Sequence, residues 1–194
     1  MDFERKTGMK HNDINEDRGT IFINNGIINE EVCVWKHMAF EKNKGDCKVF
    51  VETGTNTGNG VANALAVGFS EIHSIEIMED KYAYAVERWK NYPNVHLYCG
   101  SSGKIISEVL SNINSTAFFW LDAHFTHADV LYEELEAIRE HGVVGSTILI
   151  DDMTKYFNKE YIESILLNIN PNYIFEYEPT PHNIEEILSA KVVR

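Results

Sequence analysis

Acidic residues stand directly after two apolar runs of the sequence, at the position where a buried strand would end. Asp122, with His124 two residues later, follows one run, and Asp151 and Asp152 follow another. Because the carboxyl ends of neighbouring parallel strands meet at one edge of a sheet, we expect these four side chains to converge. Close carboxylates raise one another's pKa unless a cation neutralises them. Oxygen ligands without thiolates favour a hard cation, so the pattern predicts a site for Mg²⁺, with Mn²⁺ or Ca²⁺ as alternatives.

A glycine-rich turn, ETGTNTG from Glu52 to Gly58, follows an earlier apolar run. Gly54 and Gly58 permit a tight turn and the close approach of a ligand to the backbone. The dinucleotide-binding pattern GxGxxG is absent, because Asn56 holds its middle position. The Glu52 carboxylate would repel a pyrophosphate but would accept hydrogen bonds from a cationic amino-acid group. The turn therefore predicts a site for a ligand with a cationic end.

Two further apolar runs end in residues that suit a nucleoside. Glu76, followed by Ile77, ends the second run, 18 residues after Gly58. A carboxylate at this spacing suits a ribose diol, since each of its oxygens can accept a hydroxyl hydrogen. The segment from Gly100 to Ser102 ends the third run, and its small residues and hydroxyls suit the edge of an adenine.

Each of these patterns also has a simpler interpretation. The glycine turn could be an ordinary strand-to-helix connection, and Glu76 could be a solvated strand end. Ser101 or Ser102 could cap a helix, as could Asp151 and Asp152. His124 could be structural.

The apolar runs alternate with amphipathic segments, which is the pattern of a parallel sheet covered by helices on both faces. We therefore predict an α/β fold with a doubly wound, mostly parallel seven-stranded sheet. The final strand is the one that could be antiparallel. The predicted strands are Val49–Val51, Ile72–Ile77, Val95–Cys99, Ala117–Leu121, Thr147–Ile150, Tyr173–Tyr177 and Ile184–Val193. In such a sheet the ligand lies beyond the carboxyl ends of the strands.

The N-terminal quarter has a different pattern. Residues 1–27 are polar and rich in Asn, which predicts an irregular arm, and apolar residues recur at helical spacing from Asn29 to Lys42. We therefore divide the chain into an N-terminal arm and helix at 1–47 and a main domain at 48–194. The arm and helix are predicted to form a lid over the site or, through Trp35, a contact between two copies of the chain.

The composition excludes several classes of protein. The 194 residues carry 30 acidic and 17 basic side chains, for a net charge of −13, which disfavours broad binding to nucleic acid or to an anionic membrane. No apolar stretch approaches the length of a membrane span of ~18 residues, and the N-terminus is too polar for a signal peptide. The sequence predicts a cytoplasmic protein.

The strand-end residues resemble those of class I S-adenosylmethionine-dependent methyltransferases, over about residues 48–194. ETGTNTG resembles their motif I, and Glu76 resembles the acidic residue that ends their second strand. The likeness is closer to metal-dependent sugar O-methyltransferases of the macrocin type, whose motif I also reads VETG. These enzymes have D-x-D after strand four and D-D after strand five. The chain also looks like the compact methyltransferase domains associated with glycosyltransferases in large algal viruses, which act on deoxyhexoses such as rhamnose.

The resemblance implies methyl transfer from S-adenosylmethionine to a hydroxyl of a sugar or glycan. Asp122, Asp151 and Asp152 become the metal ligands. His124 stands where that family has the Asp that acts as general base. By this resemblance His124 would take the hydroxyl proton, beside metal-bound Asp122. The residues expected to bind the cofactor are Glu52, Thr53, Gly54, Thr55, Gly58, Glu76, Ile77, Gly100, Ser101 and Ser102.

Two other functions remain open at this point. The fold could hold the cofactor without turnover, or it could transfer an aminopropyl group, as polyamine synthases of the same fold do. Methylation of an amino group is disfavoured, because LDAH stands after the fourth run in place of the Asn/Asp-Pro-Pro-aromatic signature.

Overall fold

A computed structural model describes residues 18–23, 26–123, 129–179 and 186–192. The strands are β1 Arg18–Ile23, β2 Gly26–Cys33, β3 Val49–Thr53, β4 Glu71–Glu76, β5 Val95–Cys99, β6 Ala117–Leu121, β7 Thr147–Ile150, β8 Ile174–Pro179 and β9 Glu186–Lys191. The helices are α1 Val34–Asn43, α2 Asn59–Val67, α3 Glu79–Trp89, α4 Ser102–Leu110, α5 Asp129–His141, α6 Met153–Tyr156 and α7 Lys159–Ile169. None of these helices is long and apolar enough to cross a membrane.

Seven of the described strands form one sheet, in the order β5-β4-β3-β6-β7-β9-β8. The strands from β3 to β7 pair in parallel, and β9 is antiparallel to both of its neighbours. This confirms the predicted α/β, doubly wound sheet and its antiparallel last strand. β4 and β5 lie on one side of β3, and β6 and β7 lie on the other side. The direction in which successive strands are added to the sheet therefore reverses at β3, which is the switch point of the fold.

Two buried apolar clusters cover the two faces of the sheet. Because successive strand residues point to opposite faces, Val51 and Leu121 belong to one cluster while Phe50 and Phe118 belong to the other. Helices α4, α5 and α7 pack on the first face, and α1, α2 and α3 pack on the second. Helices on both faces explain why the central strands are apolar throughout rather than alternating.

The register of the parallel strands aligns their carboxyl ends. Thr53, at the end of β3, pairs with Ile75 of β4 on one side and with Leu121 of β6 on the other. Leu121 in turn pairs with Ile150 of β7. The polar residues that follow these strands therefore emerge at one edge of the sheet, as the sequence predicts.

The N-terminal segment differs from its prediction. Residues 1–17 of the predicted irregular arm lie outside the described residues. After them, β1 and β2 pair antiparallel from Arg18↔Cys33 to Ile23↔Gly26, where the prediction had irregular structure up to residue 27. The helix begins at Val34 and not at Asn29, because β2 continues to Cys33. The physical reason is strand propensity: β-branched and aromatic residues dominate the segments TIFI and GII, and they favour extended backbone. The division at residue 47 remains a prediction.

Candidate active site

A cavity of about 660 Å³ opens at the carboxyl ends of the strands, a size typical of small-molecule sites. The carboxyl ends of all five parallel strands, β3 to β7, supply part of its wall. The predicted residues that line it are Glu52, Gly54, Thr55, Glu76, Ile77, Gly100, Ser101, Ser102, Asp122 and Asp152. Thr53, Gly58 and Asp151 are absent from the lining, and His124 lies outside the described residues.

Glu52 places a buried carboxylate against this cavity. Its side chain is buried, and its Oε2 accepts a hydrogen bond of 2.6 Å from Ser74 Oγ. Burial raises the pKa of Glu52 to about 8, although the bond from Ser74 opposes the change. Gly60 leaves the space for this carboxylate, because a Cβ there would collide with Glu52 Oε1. A cationic group in the cavity would stabilise the ionised form of Glu52.

Glu76 is held in place by the backbone of two flanking turns. Its Oε2 accepts a bond of 2.6 Å from the Asn56 N–H, and its Oε1 accepts one of 2.8 Å from the Met78 N–H. Asn56 reaches this position with a φ of +49°, a left-handed conformation that Asn tolerates better than most residues. Each carboxylate oxygen keeps lone-pair capacity for a further donor. A fixed carboxylate of this kind can accept two hydroxyl hydrogens from one ligand.

The two glycines of the β3–α2 turn make room for protein rather than for a ligand. Gly54 has a φ of +85°, and a Cβ there would lie 2.7 Å from the backbone oxygen of Asp122. Gly58 has a φ of +81°, and its Cβ would collide with the Trp89 indole nitrogen. Gly54 thus sets how closely the β3 turn approaches the residues that follow β6.

A buried carboxylate that sequence reasoning missed lies beneath the cavity. Glu134 of α5 is fully buried, and it accepts a hydrogen bond from Ser102 Oγ. Burial raises the pKa of Glu134 to about 7, while hydrogen bonds from Ser102 and Thr53 act in the opposite direction. Thr53 Oγ1 also accepts a bond of 3.2 Å from the Asp122 N–H. Glu134 stands three residues after Leu131 on the apolar face of α5, a polar position in an apolar row that could have identified it.

A lysine from α1 reaches the acidic end of the cavity. Lys36 Nζ lies 2.6 Å from Asp122 Oδ2 and 3.7 Å from Asp151 Oδ2. Burial alone would lower the pKa of Lys36, but Asp122 and Asp151 outweigh it and the net change is upward. Burial and the charge of Asp122 raise the pKa of Asp151, with Lys36 acting in the opposite direction. No feature of the sequence identifies Lys36, because its partner Asp122 is 86 positions away.

The aspartates in this arrangement do not fit a divalent cation. Asp151 Oδ1 accepts a hydrogen bond of 3.0 Å from the Asp152 backbone N–H. Asp152 itself has a left-handed backbone, with a φ of +56°. The Lys36 ammonium lies against Asp122, so a metal ion there would meet a positive charge at short range. Among the described residues, no group of three or more His, Cys, Asp or Glu side chains is arranged to hold a metal ion.

Three aromatic residues near the carboxyl ends of the strands fall in two places. Trp35 lines the cavity next to Lys36. Tyr156 and Phe157 pack against each other, with ring centroids 6.2 Å apart, and do not line the cavity.

The solved structures to which this chain is similar include several methyltransferases. The SAH-bound methyltransferase PaMTH1 of Podospora anserina superposes with a TM-score of 0.58 at 15% identity, over 82% of this chain and 77% of that one. An rRNA methylase of Streptococcus thermophilus superposes with a TM-score of 0.58 at 13% identity, over 87% of this chain and 100% of that one. The O-methyltransferase TomG of Streptomyces achromogenes, in complex with SAM, superposes with a TM-score of 0.58 at 11% identity, over 82% of this chain and 78% of that one.

The chain therefore has the fold of the class I S-adenosylmethionine-dependent methyltransferases. No protein-family model matches the sequence, and no curated protein matches it. At these identities the likeness concerns the fold alone.

Proposed function

We propose that the protein is an S-adenosylmethionine-dependent methyltransferase that acts on a hydroxyl group. The observation that carries the proposal is the pair of buried carboxylates, Glu52 and Glu76, on one cavity at the switch point of this fold. A cofactor with a cationic amino-acid end and a ribose diol complements these two groups at separate points. The structural likeness to SAH-bound and SAM-bound methyltransferases supports the same ligand.

The described residues fit this cofactor in the part of the cavity between Glu52 and Ser102. Glu52 would hold the amino group of the methionine portion, and Glu76 would accept hydrogen bonds from the ribose hydroxyls. Ile77, Ser101 and Ser102 line the part of the cavity proposed for adenine. The sulfonium of the bound cofactor supplies an activated methyl group, so the protein's main contribution is to position donor and acceptor in line.

The proposed acceptor is a sugar hydroxyl, supported by the likeness of VETG, Asp122 and the Asp151–Asp152 pair to the motifs of sugar O-methyltransferases. The acceptor oxygen would lie at the Asp122 end of the cavity, beside Lys36 and Trp35. His124, the second residue after Asp122, would take the hydroxyl proton. The predicted divalent metal is not part of this proposal, because Lys36 neutralises Asp122. Because Trp35 and Lys36 line the cavity, α1 would cover the acceptor, in keeping with the predicted lid.

Methyl transfer to a panel of acceptors tests the proposal. The purified chain is incubated with S-adenosylmethionine carrying a labelled methyl group and with glycosides, polysaccharides, a structured RNA and amines. We expect a glycoside or polysaccharide to gain one labelled methyl group, as detected by mass spectrometry. Exclusive labelling of RNA or of an amine would contradict the hydroxyl-bearing sugar as the acceptor. Transfer of an aminopropyl group from the decarboxylated cofactor would instead support the polyamine-synthase alternative.

A further inference from the structure

We propose that Lys36 is the resident cation of the acceptor end of the site, taking the place that the sequence assigns to a divalent metal. The ammonium would hold Asp122 and Asp151 together and donate a hydrogen bond to the acceptor oxygen. This inference rests on the proposed function. It differs from the metal-dependent mechanism that the resemblance implies, and it gives Lys36 a role in the reaction.

The fold fixes the position of Lys36. Four residues further along α1, Phe40 is fully buried and its ring lies 5.0 Å from that of Trp120 and 5.2 Å from that of Phe50. This anchor sets the rotation of α1 on the sheet, so residues one turn earlier face the carboxyl edge. Lys36 reaches Asp122 from that position.

The surroundings of the ammonium suit a cation that stays in place. Its nitrogen lies 4.8 Å from the ring centroid of Trp120 and 5.3 Å from that of Trp35. Both distances allow an attraction between the cation and the aromatic face. The Lys36 side chain is 17% exposed and lines the cavity, so a ligand can reach it. Of its three N–H donors, one bonds Asp122, and the 3.7 Å separation from Asp151 leaves donor capacity for an acceptor oxygen.

The charges explain why one lysine can replace a metal ion here. Asp122 and Asp151 face the ammonium, and Glu52 is close enough to act on it electrostatically. A metal ion bound to both aspartates would have to displace Lys36 or accept its repulsion. Removing the lysine charge would leave the carboxylates unneutralised, which is the condition under which they would recruit a divalent ion.

The role in the reaction follows from the same contacts. When the methyl carbon leaves sulfur for the acceptor oxygen, the C–S electron pair stays on sulfur and the hydroxyl proton passes to the base, proposed above as His124. Negative charge develops on the acceptor oxygen as that proton departs. Lys36 would stabilise it by a charge-assisted hydrogen bond and remain protonated throughout.

The test compares the wild-type chain with Lys36→Met, which keeps an unbranched side chain of similar length without the charge. Lys90→Met, at an exposed lysine paired with Glu87, is the matched control. Binding of Mn²⁺ is measured by electron paramagnetic resonance, binding of S-adenosylhomocysteine by calorimetry, and turnover with and without EDTA. For the wild type and the control we expect no Mn²⁺ binding at millimolar metal and no effect of EDTA. For Lys36→Met we expect turnover to fall at least tenfold, cofactor affinity to change less than threefold, and Mn²⁺ to bind.

The outcomes separate this inference from the proposed function. If the wild-type chain binds the cofactor and methylates a sugar but loses activity in EDTA or binds Mn²⁺ tightly, Lys36 is not the resident cation and the metal mechanism is correct. If the wild type binds no cofactor, the proposed function itself fails. Should Lys36→Met not fold, the wild-type EDTA and Mn²⁺ measurements still decide, and Lys36→Arg, which keeps the charge, should retain metal-independent turnover.

Discussion

At the scale of single residues, the candidate site is defined by carboxylates in three different environments. Glu52 is desolvated and has a raised pKa, Glu76 is tied to two backbone N–H groups, and Asp122 is paired with Lys36. The same type of side chain therefore offers a switchable acceptor, a fixed acceptor and half of an ion pair. These differences come from neighbours distant in the sequence, so the motif positions alone could not distinguish them.

Cofactor binding should tighten as the pH rises because of Glu52. With a pKa of about 8, Glu52 is mostly protonated at pH 6.5, and a cationic ligand favours its ionised form. Affinity for S-adenosylhomocysteine should therefore rise at least tenfold, towards a limit of about 25-fold if only ionised Glu52 binds, from pH 6.5 to pH 8.5, as measured by calorimetry. Glu52→Gln, which cannot ionise, should bind more weakly and with little pH dependence. An equally steep rise in that variant would assign the effect to another group.

Glu134 should make the folded state less stable as the pH rises. The pKa of Glu134 is about 7 in the folded chain, against an ordinary value of 4.5. Between pH 4.5 and pH 7 the folded chain therefore holds a proton on Glu134 that the unfolded chain has lost. The free energy of unfolding therefore falls across this range, by on the order of 3 kcal/mol from this group. Urea unfolding of Glu134→Gln at pH 5 and pH 8 should show a smaller decrease than the wild type. The variant Glu140→Gln, at an exposed position of the same helix, should keep the wild-type decrease, and a decrease in Glu134→Gln as large as the wild type's would refute the assignment.

At the scale of elements, the turns after β3, β4 and β6 position the site more than the strands do. The strands supply a common edge, but Gly54 decides how closely the first turn approaches Asp122, and Asn56 links that turn to Glu76. The sequence showed these turns because Gly at a strand end has a recognisable backbone reason. It did not show that the space at Gly54 is occupied by protein.

Gly54→Ala should be strongly destabilising because of that contact. Its Cβ would lie 2.7 Å from the Asp122 backbone oxygen, in a residue that also has a positive φ. Gly45→Ala is the matched control, since Gly45 has a φ of +53° but nothing within 4 Å of the added Cβ. We expect urea unfolding to show a loss of about 1 kcal/mol for Gly45→Ala and at least about 3 kcal/mol for Gly54→Ala. Equal losses would mean that the backbone conformation alone explains both variants.

At the scale of the whole molecule, the sheet could be predicted from the sequence and the cavity wall only in part. The strands β5, β6 and β7 match their predicted bounds. For β6 and β7 the reason is that buried parallel strands are continuous apolar runs between clear turns, whereas β5 is a partly exposed edge strand. The hairpin β1–β2 was missed, because a polar, Asn-rich composition hid the strand-forming residues within it. Lys36 was missed because only the packing of α1 on the sheet brings it to Asp122.

The net charge of −13 acquires a more specific meaning at this scale. Among the acidic residues of the cavity, Asp122 is offset by Lys36, while Glu52 and Glu76 have no lysine or arginine paired with them in the described ion pairs. Other acidic side chains, such as Glu134 and Asp151, are buried. A ligand with a cationic end therefore meets a favourable charge at the Glu52 end of the cavity when Glu52 is ionised.

The most direct test of the account is a calorimetric titration of S-adenosylhomocysteine into the wild type, Glu76→Gln and Glu79→Gln. Gln at position 76 would turn an NH₂ group toward a backbone N–H and would lose the charge offered to the ribose. Glu79→Gln is the control, because Glu79 is exposed in the first turn of α3. Melting temperatures confirm that each variant is folded. We predict saturable one-to-one binding by the wild type and Glu79→Gln, and at least about tenfold weaker binding by Glu76→Gln. No binding by the folded wild type, or equal affinity in all three proteins, would contradict the proposed cofactor site.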